Sequence, residues 1–128
     1  MVSKITKYRL TGTTDASGDA TVYTNSVVRG KIRNVQLDID GLDAGADTTI
    51  TTADELVAQT IIGLTNSNTN ATINPSTSAQ DTAGVNLVYA AAGEIVPTEF
   101  TVFSRLKCVV AQGGNTKAFA VDVTVEEY

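Results

Sequence analysis

Histidine and tryptophan are absent from this 128-residue sequence, and cysteine occurs once. Without histidine the chain lacks the commonest general base and the imidazole metal ligand, so a Ser-His-Asp arrangement is excluded. A single cysteine cannot form an internal disulfide, which fits folding in a reducing compartment. Cys108 falls at an inward position of a predicted strand, and we interpret it as a small buried hydrophobe.

Charged residues are also scarce, since Asp, Glu, Lys and Arg make up 18% of the chain and the net charge is -5. The nine Lys and Arg residues are scattered, whereas binding to phosphates requires clustered cations, so we expect no nucleic-acid partner. No apolar run approaches the roughly 18 residues of a membrane span, and we expect no membrane partner. Residues 1–10 lack the apolar segment of a signal peptide, which predicts synthesis in a cytoplasm without secretion.

Motifs that carry chemistry are missing as well. The sequence has neither a Gly-rich phosphate loop followed by Lys and Ser/Thr nor a dinucleotide fingerprint. Four aspartates lie close together and leave a two-carboxylate hydrolase or a calcium site formally open: Asp38, Asp40, Asp43 and Asp47. Their spacing matches no established calcium loop, and aromatic residues that hold sugars make up only 5% of the chain. We therefore expect no enzyme and no catalytic, cofactor-binding or metal-binding residues.

Threonine, serine and asparagine are abundant instead, and this composition favours strands and turns over helices. Short segments with strand character follow one another at the turn-punctuated spacing of a sandwich or small barrel. The sequence therefore predicts one all-β domain over residues 1–128. We expect a single-domain antiparallel β-sandwich or jelly-roll-like barrel of about eight to nine short strands, with residues 1–7 as a possible extended N-terminal arm.

The clearest strand pattern lies at residues 102–126. Two segments each carry an apolar face, formed by Val102, Leu106, Cys108 and Val110 in the first and by Phe119, Val121, Val123 and Val125 in the second. The residues between them, Gln-Gly-Gly-Asn at 112–115, tolerate positive φ, so we predict a hairpin of two half-buried strands. Residues 4–14 and 20–24 predict a second hairpin near the N-terminus.

Four segments carry further predictions. Ile32 is out of register in the strand at residues 30–40, which indicates a bulge near Arg33 or burial on both faces. Residues 53–59 could form one helical turn, and Gly63 could mark a bulge or a close backbone approach in the strand at residues 60–65. Residues 66–84 contain one large apolar residue, Ile73, so they must lie on the surface or against a partner. The alternative is a pair of loops joined by a short edge strand at residues 72–74.

Two groups of residues are candidate partner contacts: the cations Lys4, Lys7, Arg29, Lys31 and Arg33, and the polar-run residues Asn66, Asn68, Asn70 and Ile73. Strand alternation predicts that the three cations of residues 29–33 share one face beside Asp38 and Asp40. That face is either solvated or in contact with an acidic protein surface. The two lysines belong to the N-terminal arm, which could pair with an exposed strand of a neighbouring subunit.

Residues 107–115, Lys-Cys-Val-Val-Ala-Gln-Gly-Gly-Asn, resemble the closing hairpin of small all-β proteins encoded among tailed-bacteriophage head genes. Residues 47–52, 64–66 and 81–84 resemble segments of the same group in the same order, and the resemblance covers most of the chain. It implies a capsid decoration or cement protein that binds the outer surface of the major capsid protein lattice and reinforces it against internal DNA pressure. It also implies a location on the capsid exterior, synthesis in the bacterial host cytoplasm and a homo-oligomer, with a trimer favoured.

Two other functions stay open. A carbohydrate- or receptor-binding module of a fibre or adhesin would place exposed aromatics with Asp and Asn in a groove. The four tyrosines are dispersed in sequence, at Tyr8, Tyr23, Tyr89 and Tyr128. A head-tail connector or tail component would form rings of six or twelve copies instead of trimers.

Overall fold

The computed structural model describes residues 4–89, 94–95 and 97–127. These residues form twelve strands and no helix: β1 (Lys4–Thr13), β2 (Ala20–Tyr23), β3 (Val28–Asp38), β4 (Asp47–Thr52), β5 (Thr60–Leu64), β6 (Ala71–Ile73), β7 (Ser76–Ser78), β8 (Val88–Tyr89), β9 (Glu94–Ile95), β10 (Pro97–Ser104), β11 (Leu106–Ala111) and β12 (Ala118–Glu127). The all-β prediction is confirmed. A helix long and apolar enough to cross a membrane does not occur in the described ranges.

Ten of these strands form two antiparallel sheets. The six-stranded sheet has the order β1-β12-β3-β10-β7, and β6 pairs with the part of β3 that β10 leaves free. The four-stranded sheet has the order β2-β11-β4-β5, while β8 and β9 form a separate two-stranded ribbon. The two large sheets stay open at their edges, so the molecule is a sandwich and not a closed barrel.

Eight strands follow the path of a long hairpin rolled up on itself. β1 pairs with β12, β2 with β11, β3 with β10 and β4 with β5, and these pairs alternate between the two sheets. This is the arrangement of a jelly roll, one of the forms that the sequence predicts. Strands β6 to β9 form an insertion between β5 and β10, which brings the number of strands to twelve.

The two apolar faces predicted within residues 102–126 are buried, as expected. All eight residues are at most 4% exposed and belong to one core cluster. The predicted hairpin is wrong, however, because β11 pairs with β2 and β4 while β12 pairs with β1 and β3. The predicted first segment is also two strands and not one, since Val102 lies on β10 in the six-stranded sheet while Leu106, Cys108 and Val110 lie on β11. Strands β11 and β12 belong to opposite sheets, and their apolar faces both point into the core between the sheets, which in sandwiches is about 10 Å thick.

The N-terminal hairpin is wrong for the same reason. β1 lies in the six-stranded sheet and β2 in the four-stranded sheet, so residues 14–19 cross from one sheet to the other. The sequence pattern identifies which side chains of a strand face the core. It does not identify the neighbouring strand, since a turn-rich connection can close a hairpin or bridge two sheets.

The bulge predicted near Arg33 is confirmed. Thr124 pairs with Asn34 while Val125 pairs with Ile32, so Arg33 is the extra residue, and both Ile32 and Val35 are buried. No register shift occurs at Gly63. It occurs instead at Ile61, because Ile50 pairs with Ile62 and Thr51 with Thr60. The displaced bulge lets two consecutive isoleucines, Ile61 and Ile62, both be buried.

The helical turn predicted for residues 53–59 is also wrong, since residues 53–57 form bends and residues 58–59 form no regular structure. The backbone amides of Ala53 and Asp54 bond to the hydroxyl of Ser104, at 3.1 and 2.9 Å, and not to carbonyls of a helical turn. The loop closes through Thr52, whose amide donates to the carbonyl of Gln59 at 3.0 Å. Hydrogen bonds to residues distant in sequence, such as Ser104, thus determine the loop conformation.

Candidate functional site

The three predicted cations of β3 lie on the outer face of the six-stranded sheet. Lys31 Nζ is 2.7 Å from Glu99 Oε2, and Arg33 forms ion pairs with both Glu99 and Glu126. The guanidinium of Arg29 lies 4.8 Å from the centre of the Phe103 ring. These ion pairs lower the pKa of Glu99, chiefly through the hydrogen bond from Lys31.

The acidic neighbours of these cations differ from those predicted. Asp38 ends β3, and Asp40 follows it, so both lie at the opposite end of the strand. Glu99 and Glu126 come from the adjacent strands β10 and β12. Lys31 and Arg33 are thus paired with carboxylates, while Arg29 lies over an aromatic ring. Because these ion pairs are partly exposed, each contributes little to stability.

The predicted N-terminal arm is largely part of the sheet. Residues 4–7 pair with residues 124–127 as the start of β1, so Lys4 and Lys7 are strand residues that point to opposite faces. Thr6 and Tyr8 donate hydrogen bonds to the carboxylate of Glu127. Partial burial and this hydrogen bond raise the pKa of Tyr8 to about 12. Residues 1–3 lie outside the described residues, while the second edge of β1 has no neighbour within the described ranges.

The polar run predicted at residues 66–84 contains two short strands, β6 and β7. Three of its candidate contacts make bonds within the chain. The amide of Asn66 donates to Asp47 Oδ1 at 2.9 Å, and Asn68 Nδ2 donates to the carbonyl of Leu42 at 3.0 Å. The Oδ1 atom of Asn70 accepts the amides of residues 39 and 40, at 2.8 and 3.0 Å. Ile73 packs partly buried against the core.

We call residues 65–87 the polar belt. These 23 residues include one charged residue, Asp81, and most of their side chains are exposed. Their backbone is nevertheless tied down along its length, because β6 pairs with β3 and β7 pairs with β10. The carboxylate of Asp81 also accepts the amides of Ala83 and Val85 and so orders a turn. The belt therefore presents hydroxyl and amide groups on an ordered backbone.

A shallow groove of about 470 Å³ lies on the outer face of the six-stranded sheet, and its lining includes Arg9, Gln36, Asp38, Asn70, Thr72 and Asp122. Arg9 binds the Asp122 carboxylate through two nitrogens, at 2.7 and 2.8 Å, which lowers the pKa of Asp122. The groove offers Asp, Asn and Gln groups, as a sugar-binding site would. No aromatic ring lines it, although such a site normally uses one to stack against the sugar.

The loops at residues 14–19, 39–46 and 112–117 meet at one end of the sandwich, and hydrogen bonds join them there. This end, which we call the acidic end, carries Asp15, Asp19, Asp38, Asp40, Asp43, Asp47 and Lys117. Six negative charges and one positive charge give -5, which equals the net charge of the whole chain. No three potential ligand side chains gather for a metal ion within the described ranges.

The opposite end of the sandwich carries exposed apolar side chains, and we call it the apolar end: Tyr23, Val27, Leu56, Val57 and Phe103. They are five of the nine large apolar side chains that are exposed in the described part of the chain. Leu56 is fully exposed, with a relative accessibility of 103%, and Phe103 is 65% exposed. The sequence interpretation missed these exposed side chains, although two adjacent apolar residues at 56–57 in a polar loop are a visible signal.

The loop that carries Leu56 and Val57 is firmly anchored. Arg105 binds Asp54 through its backbone amide and two guanidinium nitrogens, at 2.8 to 3.1 Å. These bonds lower the pKa of Asp54. The guanidinium of Arg105 also lies 5.3 Å from the centre of the Tyr23 ring, so the loop is linked to the end of β2.

No protein-family model matches this chain, and no curated protein or solved structure matches it significantly. Its function is therefore inferred from the surfaces described above: the charged sheet face, the polar belt, the acidic end and the apolar end.

Proposed function

We propose that this protein is a virion structural protein that binds the outer surface of a tailed-bacteriophage capsid and stabilises it, as a decoration or cement protein. Its partner is then the major capsid protein, its location is the capsid exterior, and its oligomer is a homotrimer. The resemblance of residues 107–115 and of three shorter segments to phage head proteins motivates this proposal. In this role the protein contributes shape and adhesion and catalyses no reaction.

The polar belt is the observation that carries the proposal. An interface formed by loose loops must offset the entropy of ordering them, roughly 1 to 2 kcal/mol for each backbone residue that is fixed. Much of the belt's backbone is already fixed. β6 pairs with β3, β7 pairs with β10, and the asparagine side chains bond to neighbouring loops. The belt can therefore form many hydrogen bonds across a wide, shallow contact at a small ordering cost.

Multivalency then supplies the affinity that one shallow contact lacks. A capsid lattice presents many equivalent sites, and a homo-oligomer places several belts on neighbouring sites at once. The second and later contacts form at a high effective concentration, which raises the overall affinity without new types of contact. A protein that bridges lattice subunits in this way resists their separation under internal pressure.

A charge-insertion experiment tests the belt. Thr65 and Thr69 are exposed, and their replacement in a T65E/T69E variant places two carboxylates in the predicted contact. We expect this variant to cosediment with capsids of the phage that carries the gene at least about ten-fold more weakly than wild type, since uncompensated charge is costly in an interface. The matched control is T11E/T21E, which adds two carboxylates at exposed positions of β1 and β2.

Equal capsid binding by T65E/T69E and wild type would show that the polar belt is not part of the interface. Absence of wild-type protein from capsids, or density at the tail in an image reconstruction of the particle, would refute the decoration role itself. Rings of six or twelve copies would indicate a connector instead.

The groove on the six-stranded sheet favours a second candidate, a carbohydrate- or receptor-binding module. Jelly rolls occur in viral capsid proteins and in lectins alike, so the fold does not choose between the two functions. A glycan array separates them, because sugar binding that a Gln36→Ala change abolishes would support the module. Capsid binding without sugar binding supports the decoration protein.

A further inference from the structure

The six-stranded sheet leaves one side of β1 unpaired. β12 pairs with the first side of this ten-residue strand, and no other strand of the described ranges pairs with the second side. Such an edge presents a row of N–H and C=O groups to which a further strand can be added. We call the unpaired side of residues 4–11 the open edge. It lies at the opposite side of the sheet from β7, so it is separate from the polar belt.

A groove of about 440 Å³ lies beside the open edge. It is lined by residues 9–11 of β1, residues 21–23 of β2 and Asn25. Because β2 is itself the edge strand of the four-stranded sheet, the groove lies between two strand edges. The two strands come close together beyond residue 11, since a Cβ atom on Gly12 would lie 3.1 Å from Val22 Cγ1. The groove thus leaves room for an extended chain beside the open edge.

The side chains along the open edge are basic. β1 carries three cations and no carboxylate, and no Asp or Glu of the described part of the chain lines the groove. Lys7 and Arg9 share the outer face of the sheet, because both alternate with the buried Leu10. Arg9 binds the Asp122 carboxylate on β12, whereas Lys7 lies opposite Thr124. The open edge therefore favours a strand that brings its own carboxylates.

The charges argue against a second copy of this chain as that strand. Residues directly opposite one another in an antiparallel pair share a face, and like charges there are destabilising. Two open edges paired about residue 7, 8 or 9 would place Lys7 or Arg9 directly against the same cations of the second copy. The edge strands of the two large sheets, β2, β5 and β7, contain no carboxylate. β9 contains Glu94 but is only two residues long.

We propose that the open edge binds an acidic extended segment of another protein by strand addition. The segment runs antiparallel to β1 and carries carboxylates two residues apart, opposite Arg9 and Lys7. An apolar side chain follows two residues later, opposite Ile5, which is 60% exposed on the same face. Main-chain hydrogen bonds then supply affinity, and the alternate side chains supply specificity for the pattern acid-x-acid-x-apolar. The proposal does not depend on the decoration role.

Fluorescence anisotropy with the labelled peptide Thr-Thr-Glu-Val-Glu-Thr-Ile-Thr-Thr and the full chain tests the proposal at about 50 mM salt. We expect saturable binding. Lys7→Glu should weaken it at least about five-fold, because attraction becomes repulsion at one cross-strand position. The matched control is Lys117→Glu, which makes the same charge change at the acidic end and should bind within about two-fold of wild type.

A charge swap tests the register of the added strand. A peptide whose second Glu is replaced by Lys should bind wild type at least about five-fold more weakly, and the K7E variant should bind this peptide better than wild type does. The swap separates pairing at one position from general attraction. The altered peptide leaves the protein unchanged, so its comparison with the original peptide holds even where K7E folds poorly.

N-methylated peptides test the main-chain pairing. Only every second amide of a strand points toward a given neighbour, so methylation of one alternate set of peptide amides should abolish binding. Binding that survives methylation of either set would show that charge alone holds the peptide, and strand addition would be wrong.

The absence of saturable binding to wild type up to about 1 mM peptide would also overturn the proposal, as would equal binding of the original and the Lys-substituted peptides. If a second copy covers the open edge instead, sedimentation velocity will show a dimer and the peptide will not bind. Capsid is absent from these measurements, so their failure is distinct from a failure of the decoration role.

Discussion

Cys108 on β11 is completely buried, and this burial raises the pKa of its thiol to about 12. Only about one molecule in 10⁴ then carries a thiolate near pH 8, and the thiolate is the reactive form. We expect a thiol-specific colorimetric reagent to react with the folded protein at least about 1,000-fold more slowly than with protein in concentrated urea. Rapid labelling of the folded protein would contradict this description of the core.

At the scale of a single element, β3 depends on Gly30, three residues before its bulge. Gly30 has a φ of 134°, and a Cβ atom there would lie 2.1 Å from the carbonyl oxygen of Glu126. Because neither the backbone conformation nor the close approach accommodates a side chain, we expect Gly30→Ala to lower the free energy of unfolding by about 3 kcal/mol or more. Urea denaturation followed by circular dichroism measures this change.

The matched control for Gly30→Ala is Gly45→Ala. Gly45 lies in a loop without positive φ, and nothing lies within 4 Å of a Cβ atom built on it. Its replacement should change the free energy of unfolding by less than about 1 kcal/mol. Equal effects of the two substitutions would show that Gly30 is not under the steric constraint described here.

The elements also show what a sequence can predict. Period-two alternation correctly identified the buried faces of β11 and β12, and the misplaced Ile32 correctly indicated the bulge. Strand partners were not predictable, because pairing depends on how the two sheets stack, and connections such as residues 112–117 carry turn residues in either case. The fold class was thus accessible from local patterns, while the topology required long-range information.

The candidate surfaces also differ in how far the sequence could predict them. Alternation correctly put Arg29 and Lys31 on one outer face, but their partner Glu99 comes from a strand far along the chain. The polar belt could be recognised as a surface segment from its composition. The apolar end was predictable only in part, because Leu56 and Val57 are visible in a polar loop, while its other residues come from segments up to 80 positions apart in sequence.

At the scale of the whole molecule, ion pairs connect strands and loops and make stability dependent on pH. Hydrogen bonds from Arg105 and Arg9 lower the pKa values of Asp54 and Asp122 in the folded state. A carboxyl group whose folded pKa lies below its unfolded value stabilises the fold above the unfolded value, near 4. That contribution disappears as the pH falls through the folded pKa. Wild type should therefore exceed D54N/D122N in urea midpoint near pH 6, and the difference should vanish toward pH 2.

The control for this pH dependence is Asp40→Asn, which removes an exposed carboxylate that forms no ion pair with the described residues. The difference in urea midpoint between Asp40→Asn and wild type should not disappear between pH 6 and pH 2 as it does for D54N/D122N. A difference for D54N/D122N that is constant with pH would mean that these two ion pairs do not contribute to stability.

Strand β12, at residues 118–127, lies between β1 and β3 in the six-stranded sheet. Until residues 118–127 have left the ribosome, β1 has no strand to pair with and β3 lacks one of its neighbours. Both edges of β1 therefore stay unpaired while the chain is being synthesised. The six-stranded sheet is completed only after β12 has been made. Strand pairs so distant in sequence form slowly, so we expect nascent chains to depend on chaperones more than a protein built of local hairpins would.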